Sequence, residues 1–184
     1  YKRQSLGSAI TISSSDKNTD LTISITSSTF KSFSQYGNGN TMYFNAIITD
    51  VAGNSATGTL NTTINVTIKT GPSAFTVGTV SSVGGTVVSG YFNSTNTGIT
   101  VTVPIENDSN LEGGTVQIVS KNGTETDFDN IGDPVVITSN DINGSITVTI
   151  SAATLTSFSQ YIEKYVLYFN AIITDYFNNC DSGT

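Results

Sequence analysis

Tyr43-Phe-Asn-Ala-Ile-Ile-Thr-Asp50 occurs twice in this chain, the second time unchanged as Tyr168-Phe-Asn-Ala-Ile-Ile-Thr-Asp175, 125 positions later. The offset holds without a gap beyond the octapeptide. Phe33-Ser-Gln-Tyr36 returns as Phe158-Ser-Gln-Tyr161, Leu6-Gly7 stands against Ile131-Gly132, and Gly58-Thr59 against Gly183-Thr184. Between 14–59 and 139–184, 22 of 46 positions are identical. Chance does not give that, so the chain is built on an internal repeat. Residues 1–70 read as the C-terminal part of one repeat and 71–184 as the following one. The first lacks everything that matches Gly71–Glu125, and the second lacks the counterpart of Leu60–Lys69.

Alternation of apolar and polar residues reads as β structure throughout. Ile99-Thr-Val-Thr-Val103 and Ile146-Thr-Val-Thr-Ile150 place aliphatics on one face and threonines on the other, and Leu21-Thr-Ile-Ser-Ile25 repeats the second. Ile64-Asn-Val-Thr-Ile68, Thr86-Val-Val88, Thr115–Val119, Pro134–Ile137 and Val166–Phe169 are further strands. Asn122-Gly123 and Asn143-Gly144 read as hairpin turns. Ser151–Phe158 reads as a short helical turn between sheets, and Gly71-Pro72 as the junction of two units. Short strands at this spacing predict an all-β fold of two-sheet sandwiches. The repeat further predicts that Ile47 and Ile172 hold equivalent core positions.

Composition limits the chemistry. The 184 residues carry seven Lys plus Arg against fourteen Asp plus Glu, a formal charge of −7. Nucleic-acid phosphates and anionic lipid both require clustered cations, so neither is an expected partner. The absence of His removes the commonest general base and the commonest neutral metal ligand. Trp is absent too, and with it the usual sugar platform of a glycosidase; no enzyme is expected. One Cys forms no internal disulfide, and no apolar run approaches the roughly 20 residues of a membrane span. The chain opens Tyr1-Lys2-Arg3, so an export signal is expected upstream of it.

Thr49-Asp-Val-Ala-Gly-Asn54 lies between an apolar strand and a Gly/Thr-rich one, and Phe75-Thr-Val-Gly-Thr-Val80 follows Pro72. Both resemble the bacterial immunoglobulin-like repeats of giant surface adhesins and biofilm-associated proteins. The resemblance covers nearly the whole chain and is carried by structural motifs. It implies an extracellular, cell-surface rod of stacked β-sandwiches that presents a binding tip or builds a matrix. The chain departs from it twice: the second copy reads Tyr176-Phe-Asn-Asn179 at the turn, and the junction Ile68-Lys-Thr-Gly-Pro72 has a lysine where many relatives carry a calcium-binding acid.

Asp127-Phe-Asp129-Asn-Ile-Gly132, with Asp133, is similar in spacing to the start of a calcium loop, which takes oxygen ligands at alternate positions. The other copy has Lys2, Gln4 and Ser8 there, so a solvated acidic loop is the first reading. Asp50 and Asp175 recur, as do Asn45 with Asn170 and Asp16 with Asp141. Capping of turns by these side chains is the first reading, and calcium at Asp50 or Asp175 the second. No cofactor is expected. Cys180 stands where the other copy has Ser55, a small turn residue, with a cross-chain disulfide as the alternative. Six Asn-x-Ser/Thr triplets, at Asn61, Asn65, Asn93, Asn107, Asn122 and Asn143, are no more than this composition gives by chance.

The expected function is a structural or adhesive surface protein forming a rod, filament or matrix. The alternative is a carbohydrate- or ligand-binding module within such an array. Its candidate residues are Tyr91, Phe92, Tyr165, Tyr176 and Phe177; Tyr165 aligns with Asn40, and Tyr176-Phe177 with Val51-Ala52. The repeat register predicts a sandwich short of a strand. Either 1–184 is a window on a longer chain, or an identical subunit completes it by strand complementation and propagates a filament. Adjacent repeats or identical subunits, with surface glycans, are therefore the expected partners.

Overall fold

The structure, a computed structural model, describes residues 4–59 and 65–184. It is mostly antiparallel strands with few short helices, an all-β fold. The chain divides into two compact units, Tyr1–Thr70 and Gly71–Thr184.

The first unit holds α1 (Ser27–Lys31), β1 (Thr41–Tyr43), β2 (Ile47–Thr49), β3 (Ser55–Thr57) and β4 (Asn65–Thr67). β1 pairs with β4, Met42 opposite Val66, and β2 with β3, Ile48 opposite Ala56. Of the strand expected at Ile64–Ile68, Ile64 lies outside the described residues, as do Leu60 and Asn61. The buried cluster is small: Phe33, Met42 and Ile68, with Leu6, Phe30, Tyr36 and Phe44 against it. Phe30 anchors it, stacked on Phe44 at 6.1 Å and edge-on to Tyr36 at 5.8 Å.

The second unit holds β5 (Val80–Val83), β6 (Gly98–Ile105), β7 (Thr115–Asn122), β8 (Asp129–Asn130), β9 (Val135–Val136), β10 (Gly144–Ser151), α2 (Ala152–Ser157), β11 (Leu167–Thr174) and β12 (Cys180–Ser182). One sheet has the order β10-β6-β5; the other runs β12-β11-β7-β8, with β9 also on β7. Val148 lies opposite Val101, and Ile173 opposite Val116. Period-2 alternation turns Ile99, Val101, Val103 and Ile105 of β6 and Ile146, Val148 and Ile150 of β10 into one core. Val116 and Ile118 of β7 and Ala171 and Ile173 of β11 enter the same core, so the two sheets share it. Leu155 of α2 joins it, and the Ser151 hydroxyl caps α2 by accepting from the Thr154 N–H at 3.0 Å. The opening segment changes partner along its length: the Phe75 carbonyl accepts from Thr184 N–H, while Gly78 N–H donates to Thr102 of β6. Pro104, which has no N–H to give, sits on β6 beyond the last of those bonds.

Four sequence expectations need correction. Leu21–Ile25 is not a strand, although its counterpart is β10. An isolated strand leaves its backbone groups unpaired, and no strand of the described residues lies beside this one. Thr86–Val88 forms only a single bridge, Val88 to Tyr91. Asn143-Gly144 is a turn but joins no hairpin, because β10 belongs to the other sheet from β9, whereas Asn122-Gly123 does open the six-residue connection of the antiparallel pair β7–β8. Ile47 and Ile172 are not core positions: Ile47 is 65% exposed and Ile172 half-buried, while Ala171 and Ile173 point inward. With side chains alternating, the inward set in β11 is the odd one.

Candidate functional site

Several polar residues shared by the two copies make the same local hydrogen bonds 125 positions apart. The Asp50 carboxylate accepts from the N–H groups of Ala52 (2.9 Å) and Asn54 (2.8 Å) and from the Asn54 side-chain amide (2.9 Å). Asp175 does the same with Phe177 (2.8 Å), Asn179 (2.8 Å) and the Asn179 amide (2.9 Å). Asn45 spans its hairpin by donating to Gly58 carbonyl at 2.6 Å, and Asn170 to Gly183 at 2.7 Å. Asp16 accepts from the N–H and hydroxyl of Ser13, and Asp141 from those of Thr138. The capping role read for these residues is what their side chains perform.

The electrostatics follow. The side-chain amide of Asn54, then its backbone N–H, hold the Asp50 carboxyl below its ordinary value against a smaller opposing push from burial. The Ser13 hydroxyl and then its N–H do so for Asp16, and Thr138 likewise for Asp141. In each case the ionised form is the one the turn's donors recognise.

The other acidic candidates are not brought together. Asp127, Asp129 and Asp133 are exposed, and Asp129 accepts from the Gln160 amide at 2.6 Å. Among the described residues no three carboxylate, Cys or His side chains gather into a metal-holding group. Sequence reasoning missed Gln160. It ties β7 to the loop after α2 through the Asn122 N–H, which donates to its Oε1 at 3.1 Å. Its recurrence as Gln35 was the available signal.

Of the five aromatic candidates, Phe92 is withdrawn against the core, while Tyr91 and Tyr165 are exposed. Tyr176 and Phe177 stand next to each other on the Asp175 turn, edge to face at 5.3 Å, and both are exposed. Tyr176 N–H donates to the Asn110 carbonyl at 3.0 Å, joining that turn to the loop before β7. Cys180 is exposed at the start of β12. A shallow hollow of ≈ 280 Å³ lies near the start of the second unit, walled by Phe75, Pro104, Leu111 and Ile173. Its volume is at the bottom of the range of about 300–1,000 Å³ usual for small-molecule sites. Its one carboxylate, Glu106, already accepts from the Ser73 N–H at 2.8 Å. Among the described residues no buried side-chain polar atom is without a hydrogen-bond partner, and no helix is long and apolar enough to cross a membrane.

No family model, no curated protein and no solved structure matches this chain.

Proposed function

We propose that the chain is part of an extracellular structural or adhesive protein, built of immunoglobulin-like sandwich repeats of 125 residues and forming a surface rod, filament or matrix. The observation that carries this reading is the identity of the Asp50 and Asp175 turns, bond for bond. The polar residues that recur serve the backbone around them, so the repeated feature is scaffold. Sheet orders β10-β6-β5 and β12-β11-β7-β8, with a first segment shared between the sheets, support the immunoglobulin-like part of the reading. In this reading the chain is not an enzyme, and the isolated acids have no metal to hold. Antibody against the chain should label intact, unpermeabilised source cells. Labelling only after permeabilisation would overturn the surface assignment.

A second reading is favoured by one observation. Tyr176 and Phe177 are exposed together on the turn whose other copy has Val51 and Ala52. An aromatic pair on a rigid turn suits the face of a sugar ring. Replacing both by alanine should abolish any glycan retention by the chain. Retention unchanged in that variant would exclude these two residues.

A further inference from the structure

Five aliphatic residues of the first unit are exposed although their counterparts are buried. Ile12, Leu21, Ile23, Ile25 and Ile48 face solvent. Ile137, Ile146, Val148, Ile150 and Ile173, 125 positions on, lie in the core of the second unit. Short stretches of backbone beside them match in the two copies, although Leu21–Ile25 is not a strand and its counterpart β10 is. The Ser13–Asp16 and Thr138–Asp141 turns match, Thr26 and Ser151 both cap a short helix, and β2–β3 and β11–β12 share one register. In the second unit the cover comes from β6 and β7: Ile146, Val148 and Ile150 lie opposite Val103, Val101 and Ile99, and Ile173 opposite Val116. These side chains of the first unit thus lack the cover that residues within Gly71–Glu125 give to their counterparts in the second.

We propose that the exposed aliphatic residues Ile12, Leu21, Ile23, Ile25 and Ile48 are a docking site for a stretch of the same polypeptide that has the pattern of Gly71–Glu125 and lies ahead of Tyr1. The inference rests on the repeat reading above and names what completes the unit. The protein already makes this interface once, between β6–β7 and β10–β11. Backbone chemistry favours a strand over a lipid or small apolar ligand. Among the described residues Leu21–Ile25 forms no ladder, and an added strand can pair its row of N–H and C=O groups as it covers the side chains, which a lipid or small apolar ligand cannot. An intact second copy is the poorer donor. Its Val101, Val103 and Val116 are fully buried in its own core, and lending them would expose β10 and β11.

The test uses the whole 184-residue chain with a second copy of its own Gly71–Glu125 fused directly ahead of Tyr1, which continues the 125-position register. Amide hydrogen exchange at Leu21–Ile25 and Ile48 should slow about 100-fold or more against the parent chain, towards the rates at Ile146–Ile150 and Ile173. A version with Val101→Asp and Val103→Asp in the added copy only should lose that gain. Equal exchange in the extended and parent chains, with the second unit still protected, would overturn the proposal. So would a gain that survives the two aspartates, or protection in the parent chain that rises with its concentration, the mark of a second copy as donor. The surface assignment is read by labelling of intact cells and fails separately.

Discussion

Asn178 holds, at φ 63°, the left-handed backbone position that Gly53 holds at φ 90° in the other copy of the turn. Two further pairs keep left-handed backbone: Asn18 and Asn143, unchanged between the copies, at φ 62° and 60°, and Lys164 at φ 74° in the place of Gly39 at φ 78°. Left-handed backbone is costly for residues with a Cβ, and Asn tolerates it best. At Gly53/Asn178 and Gly39/Lys164 the residue differs between the copies while the backbone keeps its left-handed turn.

It follows that Asn178→Gly should leave the stability of the second unit within about 0.5 kcal/mol of the parent, and Asn178→Val should lower it by about 1–2 kcal/mol. Urea unfolding followed by a probe in residues 71–184 measures both. A valine variant as stable as the parent would mean that the turn does not hold this conformation.

Asp175 is almost fully buried and receives three hydrogen bonds from its own turn. Asp175→Ala leaves those donors unmatched. A cost of about 1.5–3 kcal/mol is expected, because bonds to an ionised acceptor are the stronger kind. Asp50→Ala removes the same bonds from an exposed turn, where water replaces the carboxylate, and should cost less. Unfolding midpoints of the two variants give the comparison, and the reverse order would contradict the burial difference.

Asp50 also sets a pH dependence. Its carboxyl is held below the ordinary value, first by the Asn54 amide and then by the Asn54 N–H, so the folded turn binds its proton more weakly than the unfolded chain does. The bonds therefore contribute in full above the unfolded value of about 3.9 and are lost as pH falls through the lower folded value. In an NMR titration the Asp50 carboxyl should have its midpoint below that of a model peptide, with the Asn54 amide shifting in step. A midpoint at or above the peptide's would refute the assignment. In Asp50→Asn the step at Asn54 should disappear.

The sequence shows the polar half of this architecture better than the apolar half. Asp50, Asp175, Asp16 and Asp141 read correctly as caps because a carboxylate followed closely by N–H donors acts locally. Leu21–Ile25 misled for the opposite reason. Alternation marks which side chains share a face, but a strand exists only where a second strand meets it, and that partner is remote in sequence. Ile172 misled because a pair of adjacent isoleucines does not reveal which one points inward. Ala171, too small to stand out, fixes the parity by being fully buried. The aromatic pair could be found only by comparing copies. Nothing in Tyr176-Phe177 taken alone separates an exposed turn from a core.

The repeat provides its own control for core energetics. Ile25 and Ile150 are the same residue at matching positions of the two copies, yet Ile25 is 38% exposed and Ile150 is buried, opposite Ile99. Ile150→Ala removes methyl groups from a packed core and leaves a cavity, so it should cost the second unit about 2–5 kcal/mol. Ile25→Ala removes them from a surface that water already touches and should cost the first unit about 0.5 kcal/mol or less. Denaturant unfolding with a separate probe in each unit resolves the two. With Gly71–Glu125 fused ahead of Tyr1, Ile25 becomes a core residue in our proposal, and Ile25→Ala in that longer chain should approach the cost at Ile150. A cost at Ile25 that stays at its surface value in the longer chain would show that the added strands do not cover it.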